Sequence, residues 1–340
     1  RRSELQDTAK TIEIDTASLI VEEETFVSVT RAGYIKRTSP RSFNASTVEE
    51  VGKRDDDELI FVEPAKTTQH LLLFTNLGNA IYRPIHELTD TKWKDIGEHL
   101  SQTLTNFEQE EEILFAEIVD RFEGVTYFAA TQQGQIKRFE RKELSPWRTY
   151  RSKSTKYAKL KDQDDRIVAV APVVLEDIMI ITKNGYGLRF NIEEVPVVGA
   201  KAAGVKAINL KDGDQVAAAF KSTTPSMYIL TQRGSLKRML QDDIPVTSRA
   251  KRGLQVLREL KNKPHRVFKA GPVFTDQGDF DLFTNQEEVA EQDQILQITS
   301  TTGQVTEVDL TQLSISERTS NGSFVNDTIS DQEVFSATIK

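Results

Sequence analysis

The chain repeats one hydropathy pattern six times. A short apolar run closes on a hydroxyl residue, and three residues later a glycine follows. Leu71-Leu72-Leu73-Phe74-Thr75, Ile178-Met179-Ile180-Ile181-Thr182 and Met227-Tyr228-Ile229-Leu230-Thr231 are three copies. The hydroxyl three places before the glycine is Thr30, Thr75, Thr131, Thr182, Thr231 or Ser300, and the glycine is Gly33, Gly78, Gly134, Gly185, Gly234 or Gly303. Continuous apolar runs of four or five residues bounded by a turn signal predict buried strands rather than helices. A glycine after them supplies the positive φ that a tight hairpin needs.

A second strand is predicted beyond each turn. Ile35, Ile136 and Leu236 stand two after the glycine and alternate with a basic position, so the two should point to opposite faces. Arg37, Arg138, Arg189 and Arg238 stand four after it, preceded in three copies by Lys36, Lys137 and Lys237. Copy two has Tyr82 at the arginine position with Arg83 next, and copy six has Glu307. A second glycine lies nineteen residues after the first in five copies, at Gly52, Gly97, Gly204, Gly253 and Gly322; copy three has Lys153 there.

A period near 50 residues with several short strands per unit predicts an all-β, propeller-like ring of six small blades, each unable to bury a core alone. The Trp-Asp pairs of one common propeller class are absent. Residues 1–20 form a lead-in; Ile12, Ile14, Leu19, Ile20 and Val21 suggest a strand that completes the last unit, the alternative being a simple lead-in from an upstream domain, and residues 21–335 form the ring. Residues 86–112 and 258–293 read as loops or insertions. The start at Arg1-Arg2, without an initiating methionine, suggests a piece of something longer or a processed chain.

Composition changes the picture at three points. No cysteine is present, which removes disulfides, thiol nucleophiles and cysteine-ligated zinc. No apolar run approaches a bilayer's thickness, so no membrane partner is expected. The net charge of −8 argues against nucleic acid only as a sum. From Lys137 to Lys161 there are ten Lys/Arg against two Glu, and from Arg233 to Lys269 eleven against three Asp/Glu, whereas residues 274–340 carry two basic and thirteen acidic. A binding partner feels the local field within a Debye length of about 8–10 Å.

Enzyme chemistry finds little support. The four histidines are scattered, and neither a phosphate-binding glycine loop nor a nucleophile elbow is present. Trp147, Tyr150 and Tyr157 sit in a basic run, either to stack on bases or, preferably, to cover a strand edge. Acidic runs such as Asp55-Asp56-Asp57 read as solvated surface. Basic side chains recurring at one repeat position would form an arc that neutralises phosphates of a duplex without reading bases.

Thr30–Arg37, with its echoes at 131–138 and 231–238 (T-x-x-G-x-I/L-K-R), resembles the C-terminal domain of the A subunit of bacterial type IIA topoisomerases, the gyrase and topoisomerase IV family. The resemblance runs from about residue 20 to 330. It implies a six-bladed β-pinwheel with four-stranded blades and a basic rim that bends duplex DNA. The QRRGGKG-type box that marks gyrase would fall on residues 46–52, here Ser-Thr-Val-Glu-Glu-Val-Gly. Its loss, with stretches such as RPIHEL and KWKDIGEHLSQT, resembles the topoisomerase IV branch of Gram-positive bacteria.

The resemblance further implies a non-catalytic part of an ATP-dependent enzyme. It would engage the transported duplex and bias the reaction toward decatenation and supercoil relaxation during chromosome segregation, in the cytoplasm at the nucleoid. Partners would be double-stranded DNA, the breakage-reunion domain of the same chain, plus the ATPase B subunit. No cofactor is expected in this part, ATP and Mg2+ being used elsewhere. The expected DNA contacts are Lys36, Arg37, Arg41, Arg83, Lys137, Arg138, Arg141, Arg148, Arg151, Lys153, Arg189, Arg233, Lys237, Arg238, Arg249, Lys251 and Arg252, strongest at blades three and five. The alternatives are a gyrase-type wrapping domain and a propeller that binds an acidic protein.

Overall fold

Each repeat begins with the same hairpin. The glycine N–H donates to the carbonyl of the hydroxyl residue three before it, at 2.9–3.2 Å in all six copies. That residue's side-chain oxygen accepts from the first backbone N–H after the glycine, as in Tyr186 N to Thr182 Oγ1 (3.1 Å) and Gln304 N to Ser300 Oγ (3.1 Å). The hydroxyl therefore satisfies a donor that the tight turn would leave without a partner.

A computed structural model describes residues 20–211, 213–274, 294–325 and 333–339. In it the hairpins build six antiparallel sheets arranged as blades. Blade three shows the plan. Its order is Ile167–Pro172, Thr126–Thr131, Gln135–Glu140, Val205–Lys206. The first of these lies toward the axis, where the corresponding strands of successive blades pack on one another. The last lies at the outer edge, and it arrives only after the hairpin of blade four (Asp177–Thr182 and Tyr186–Asn191) has begun the next sheet. Blades one, two, four and five likewise take their outermost strand from the following repeat: Glu98–His99, Thr155–Lys156, Leu254–Gln255 and Ser323–Phe324. This exchange is the pinwheel connection. Residues 86–112 are accordingly no insertion; most of them are the connector and outer strand that latch repeat two onto blade one.

The second glycine makes that latch possible. At Gly204 a Cβ would lie 2.4 Å from the carbonyl oxygen of Ile136 in the preceding blade, and φ is +86°. Both the close approach and the left-handed backbone exclude a side chain. Gly204→Ala is expected to destabilise the fold by about 2–4 kcal/mol through strain and overpacking. A thermal melt checks this; an unchanged melting temperature would mean that the outer strand contributes little.

Apolar residues on both faces of each sheet fill the spaces between blades. Leu71 and Leu73 pack toward blade one, Leu72 and Phe74 toward blade three. Five such cores join blades one through six in order. Among the described residues no apolar core joins blade six to blade one, and a cleft of about 1760 Å³ lies there, lined by Phe61 and Val62 on one side and Gln297 and Phe335 on the other.

Local structure explains the gap. Blade six has three strands among the described residues, Val305–Asp309, Ile295–Ser300 and Val334–Ile339. By the repeat rule its outer strand would come from the connector of repeat one. That connector instead turns back on its own blade. Pro40–Asn44 forms a short helix capped by Ser39, and Phe43 stacks on Phe26 at 3.8 Å. Gly52 bridges Ile96. The expected strand that completes the last blade falls outside the described residues at Ile12, Ile14 and Leu19; Ile20 and Val21 are described and lie outside any strand, Val21 being exposed.

Candidate nucleic-acid interface

The basic positions after each hairpin divide by parity. Lys36, Lys137 and Lys237 point away from Ile35, Ile136 and Leu236, as the alternation predicts, but they do not reach solvent. A blade is covered on both faces, so the side opposite the apolar one is also interior. All three lysines are buried. Lys237 Nζ donates to the carbonyls of Val256 (2.5 Å), Arg318 (2.6 Å) and Ser320 (2.8 Å). Lys137 Nζ donates to Tyr157, Gly199, Ala200 and Ala202, and Lys36 Nζ to Lys92, Trp93 and Asp95. Each ammonium thus gathers carbonyls of the connector that latches onto its blade, and Lys137 and Lys237 each take one more, Tyr157 O and Val256 O, from the connector of their own repeat. These three are structural staples, not phosphate contacts, which corrects the expectation for them.

Burial pulls Lys36 and Lys137 down to about 8, and Lys237, which also faces Arg318, to about 7. The unfolded chain keeps its lysines protonated to about pH 10.4. Between pH 7 and 10 the unfolded state therefore binds more protons, and this group's contribution to stability rises with pH. The gap in stability between the natural chain and Lys237→Met is expected to widen across that window, by at most about 1.4 kcal/mol per pH unit. Melting curves at pH 7, 8 and 9 test it; a constant gap would show that the three carbonyls hold the proton on the ammonium.

The arginines one residue later lie at the outer edge but are engaged. Arg138 Nε donates to Val195 O (2.6 Å), and Arg238 to Ser226 Oγ and Thr311 O. Arg189 pairs with Asp177 and Asp242, and Arg37 with Asp90. Arg83 is buried against Tyr150 O and Arg151 O, so it too is no rim contact. Arg141 closes on Glu117 and Tyr127. Arg233 donates to Lys263 O, and Arg249 to Glu194 O and Lys206 O.

Exposed positive charge lies on the connectors instead. Arg41, Arg148, Arg151, Lys153, Lys251 and Arg252 are exposed as expected. Arg151 forms a two-pronged pair with Glu87, and Arg252 lies over the ring of Tyr186 at 4.5 Å. The same connectors also carry Lys156, Lys159, Lys161, Lys201, Lys206 and Lys211, all exposed and all outside the expected set. Residues 144–161 and 195–211 contain no Asp or Glu. The signal that would have found Lys201, Lys206 and Lys211 is the second glycine, Gly204, which marks their connector; the connector of copy three has Lys153 at that place and lacks the mark.

Aromatic residues of the basic run separate by depth. Tyr157 is buried, donating its hydroxyl to Thr75 O (2.8 Å). Tyr150 packs edge-on against Tyr82 and donates to Glu87. Trp147 stands 70% exposed. The charge is one-sided: residues 46–52, a turn held by Lys94 to Glu50 and by Trp93 Nε1 to Thr47 O, carry no basic side chain. Among the described residues no three His, Asp or Glu side chains converge as a metal site would need, and no helix is long and apolar enough to cross a membrane.

A family model described as DNA gyrase C-terminal domain, beta-propeller, matches residues 24–47, 69–120, 127–173, 176–223 and 226–273. The chain belongs to the gyrase and topoisomerase IV C-terminal domain family. It is 68% identical over 339 residues to the A subunit of DNA topoisomerase 4 from Streptococcus pyogenes serotype M3, and 68% over 338 residues to that of Streptococcus pneumoniae serotype 4; each match covers 99% of this chain. The chain spans 41% of the length of those relatives. A crystal structure of the C-terminal domain of DNA topoisomerase IV superposes with a TM-score of 0.81 at 34% identity, covering 94% of each chain. A DNA gyrase A C-terminal domain, 20% identical with a TM-score of 0.61 over 93% of this chain and 99% of that one, shares the fold. The family expectation and the six-bladed all-β architecture both hold.

Proposed function

We propose that this domain binds and bends duplex DNA along its outer edge as part of a type II topoisomerase of the topoisomerase IV kind. The observation that carries this is the run of exposed lysines and arginines on the connectors at residues 144–161, 195–211 and 244–263, at the outer edges of blades two, three and four. These side chains contact phosphates, hold the duplex against a curved edge, and carry no sequence information. Bending costs on the order of 1–6 kcal/mol, offset by the contacts it adds. The acidic residues 46–52 offer nothing to fasten a full wrap, so bending without stable wrapping follows. The full enzyme would use the domain to hold the transported segment during decatenation and relaxation, with the breakage-reunion and ATPase parts supplying the chemistry.

The test is the salt dependence of duplex binding. With roughly six to eight phosphate contacts, log K against log salt should slope at about −5 to −7. A slope near zero would favour a protein partner. Ligation of nicked plasmid in the presence of the domain should shift linking number little; a large positive shift would mean gyrase-like wrapping.

A further inference from the structure

The connectors carry a second recurring feature. Twelve residues after the first glycine, at the outermost edge of blades three, four and five, stand Val197, Val246 and Ile315. Their backbones bridge Arg138, Arg189 and Arg238 of the strand beneath. Their side chains are 47%, 50% and 47% exposed. Single exposed apolar residues are ordinary. The same position in three consecutive blades, beside an arginine each time, is not a random scatter. At the edge of blade one the position is Asp90, paired with Arg37; at blade two it is Pro146, followed by exposed Trp147.

Building on the duplex reading above, we propose that Val197, Val246 and Ile315 enter the minor groove of bound DNA once per blade and favour A·T steps there. The spacing fits. A compact chain of this length has a radius of gyration of roughly 20 Å, giving a disc of radius ~28 Å, six blades ~28 Å apart at the edge, and ~38 Å apart along a duplex axis lying roughly 10 Å outside. One helical turn is about 34–36 Å, so successive blades meet the same groove to within roughly 20–40° of phase, which a small change in twist takes up. A groove facing inward on a bent duplex is compressed and admits a narrow aliphatic tip; the arginine beside each tip is held in the blade, Arg138 by Val195 O, Arg189 by Asp177 and Asp242, and Arg238 by Thr311 O. Valine and isoleucine are too short to wedge between base pairs; they rest on the sugar walls and the groove floor.

The floor supplies the preference. A guanine there presents its N2 amino group, the one donor that distinguishes G·C in this groove. Pressed against a methyl group that donor loses its water and gains no acceptor, whereas adenine offers no donor to strand.

The test uses duplexes of equal length and charge. One carries A·T steps every 10–10.5 bp, one carries G·C at those positions, and one carries inosine·C, which lacks the N2 amine. The natural chain should bind the A·T and inosine duplexes roughly tenfold tighter than the G·C duplex, within the usual range for unfavourable sites. The triple variant Val197→Thr, Val246→Thr, Ile315→Thr keeps β-branching and offers guanine an acceptor. It should lose the discrimination while keeping the salt slope and the melting temperature. The same sites changed to Ala, apolar but shorter, should retain a reduced preference. Equal binding of all three duplexes, discrimination that survives threonine, or inosine behaving as guanine overturns the groove contact and leaves phosphate binding standing. A natural chain that binds no duplex overturns the underlying reading as well.

Discussion

Lys237→Met should lower the stability of the domain by about 3–5 kcal/mol, because three carbonyls lose their donor together. Methionine fills the space but leaves the carbonyls of Val256, Arg318 and Ser320 without their donor. Each buried carbonyl so stranded costs about 1–3 kcal/mol, reduced where the connector relaxes toward water. The effect should appear as a lower melting temperature and a lower denaturant midpoint. Duplex affinity measured well below the melt, and its salt slope, should stay within about twofold. A phosphate-contact role makes the opposite forecast: an intact melt and a slope shallower by about 0.9. The two measurements together decide between them.

Reversing charge on the connectors should do the reverse. Arg148→Glu, Lys153→Glu, Lys201→Glu and Lys206→Glu change exposed side chains at the outer edges of blades two and three. Loss of four phosphate contacts should reduce affinity about 10³–10⁴-fold near 0.1 M salt and make the slope shallower by about 3.6. The melting temperature should move little, because none of the four side chains is buried. Preserved binding would place the DNA elsewhere on the molecule and remove the main support for the outer-edge interface.

Much of the architecture is legible in the sequence because it rests on local geometry. The x-Gly turn and the hydroxyl before it announce a hairpin wherever they recur, and six recurrences imply six sheets. Two things are not legible. Outer strands such as Val205–Lys206 are two residues long, too short for any periodicity, so their exchange between repeats has no signature beyond a glycine nineteen residues on. The lysine–arginine pairs mislead for a related reason. Alternation separates faces but does not say which face is wet, and in a blade neither is. Lys137 therefore looks like Lys153 in sequence and behaves in the opposite way. Arg148, Arg151, Lys153, Lys251 and Arg252 reach the surface as expected because they flank the connectors rather than the strands.

The borrowed outer strand also decides how such a molecule can change its number of blades. A chain ending at residue 274 would still contain every strand of blades one to four, because Leu254–Gln255 is already in place, and only blade five would lose its outer strand, Ser323–Phe324. Among the described residues, no strand passes between blades six and one. At that seam a lineage sheds or adds a unit with the loss or gain of a single borrowed outer strand, and with each change the reach of the proposed DNA-facing edge shrinks or grows by about one helical turn.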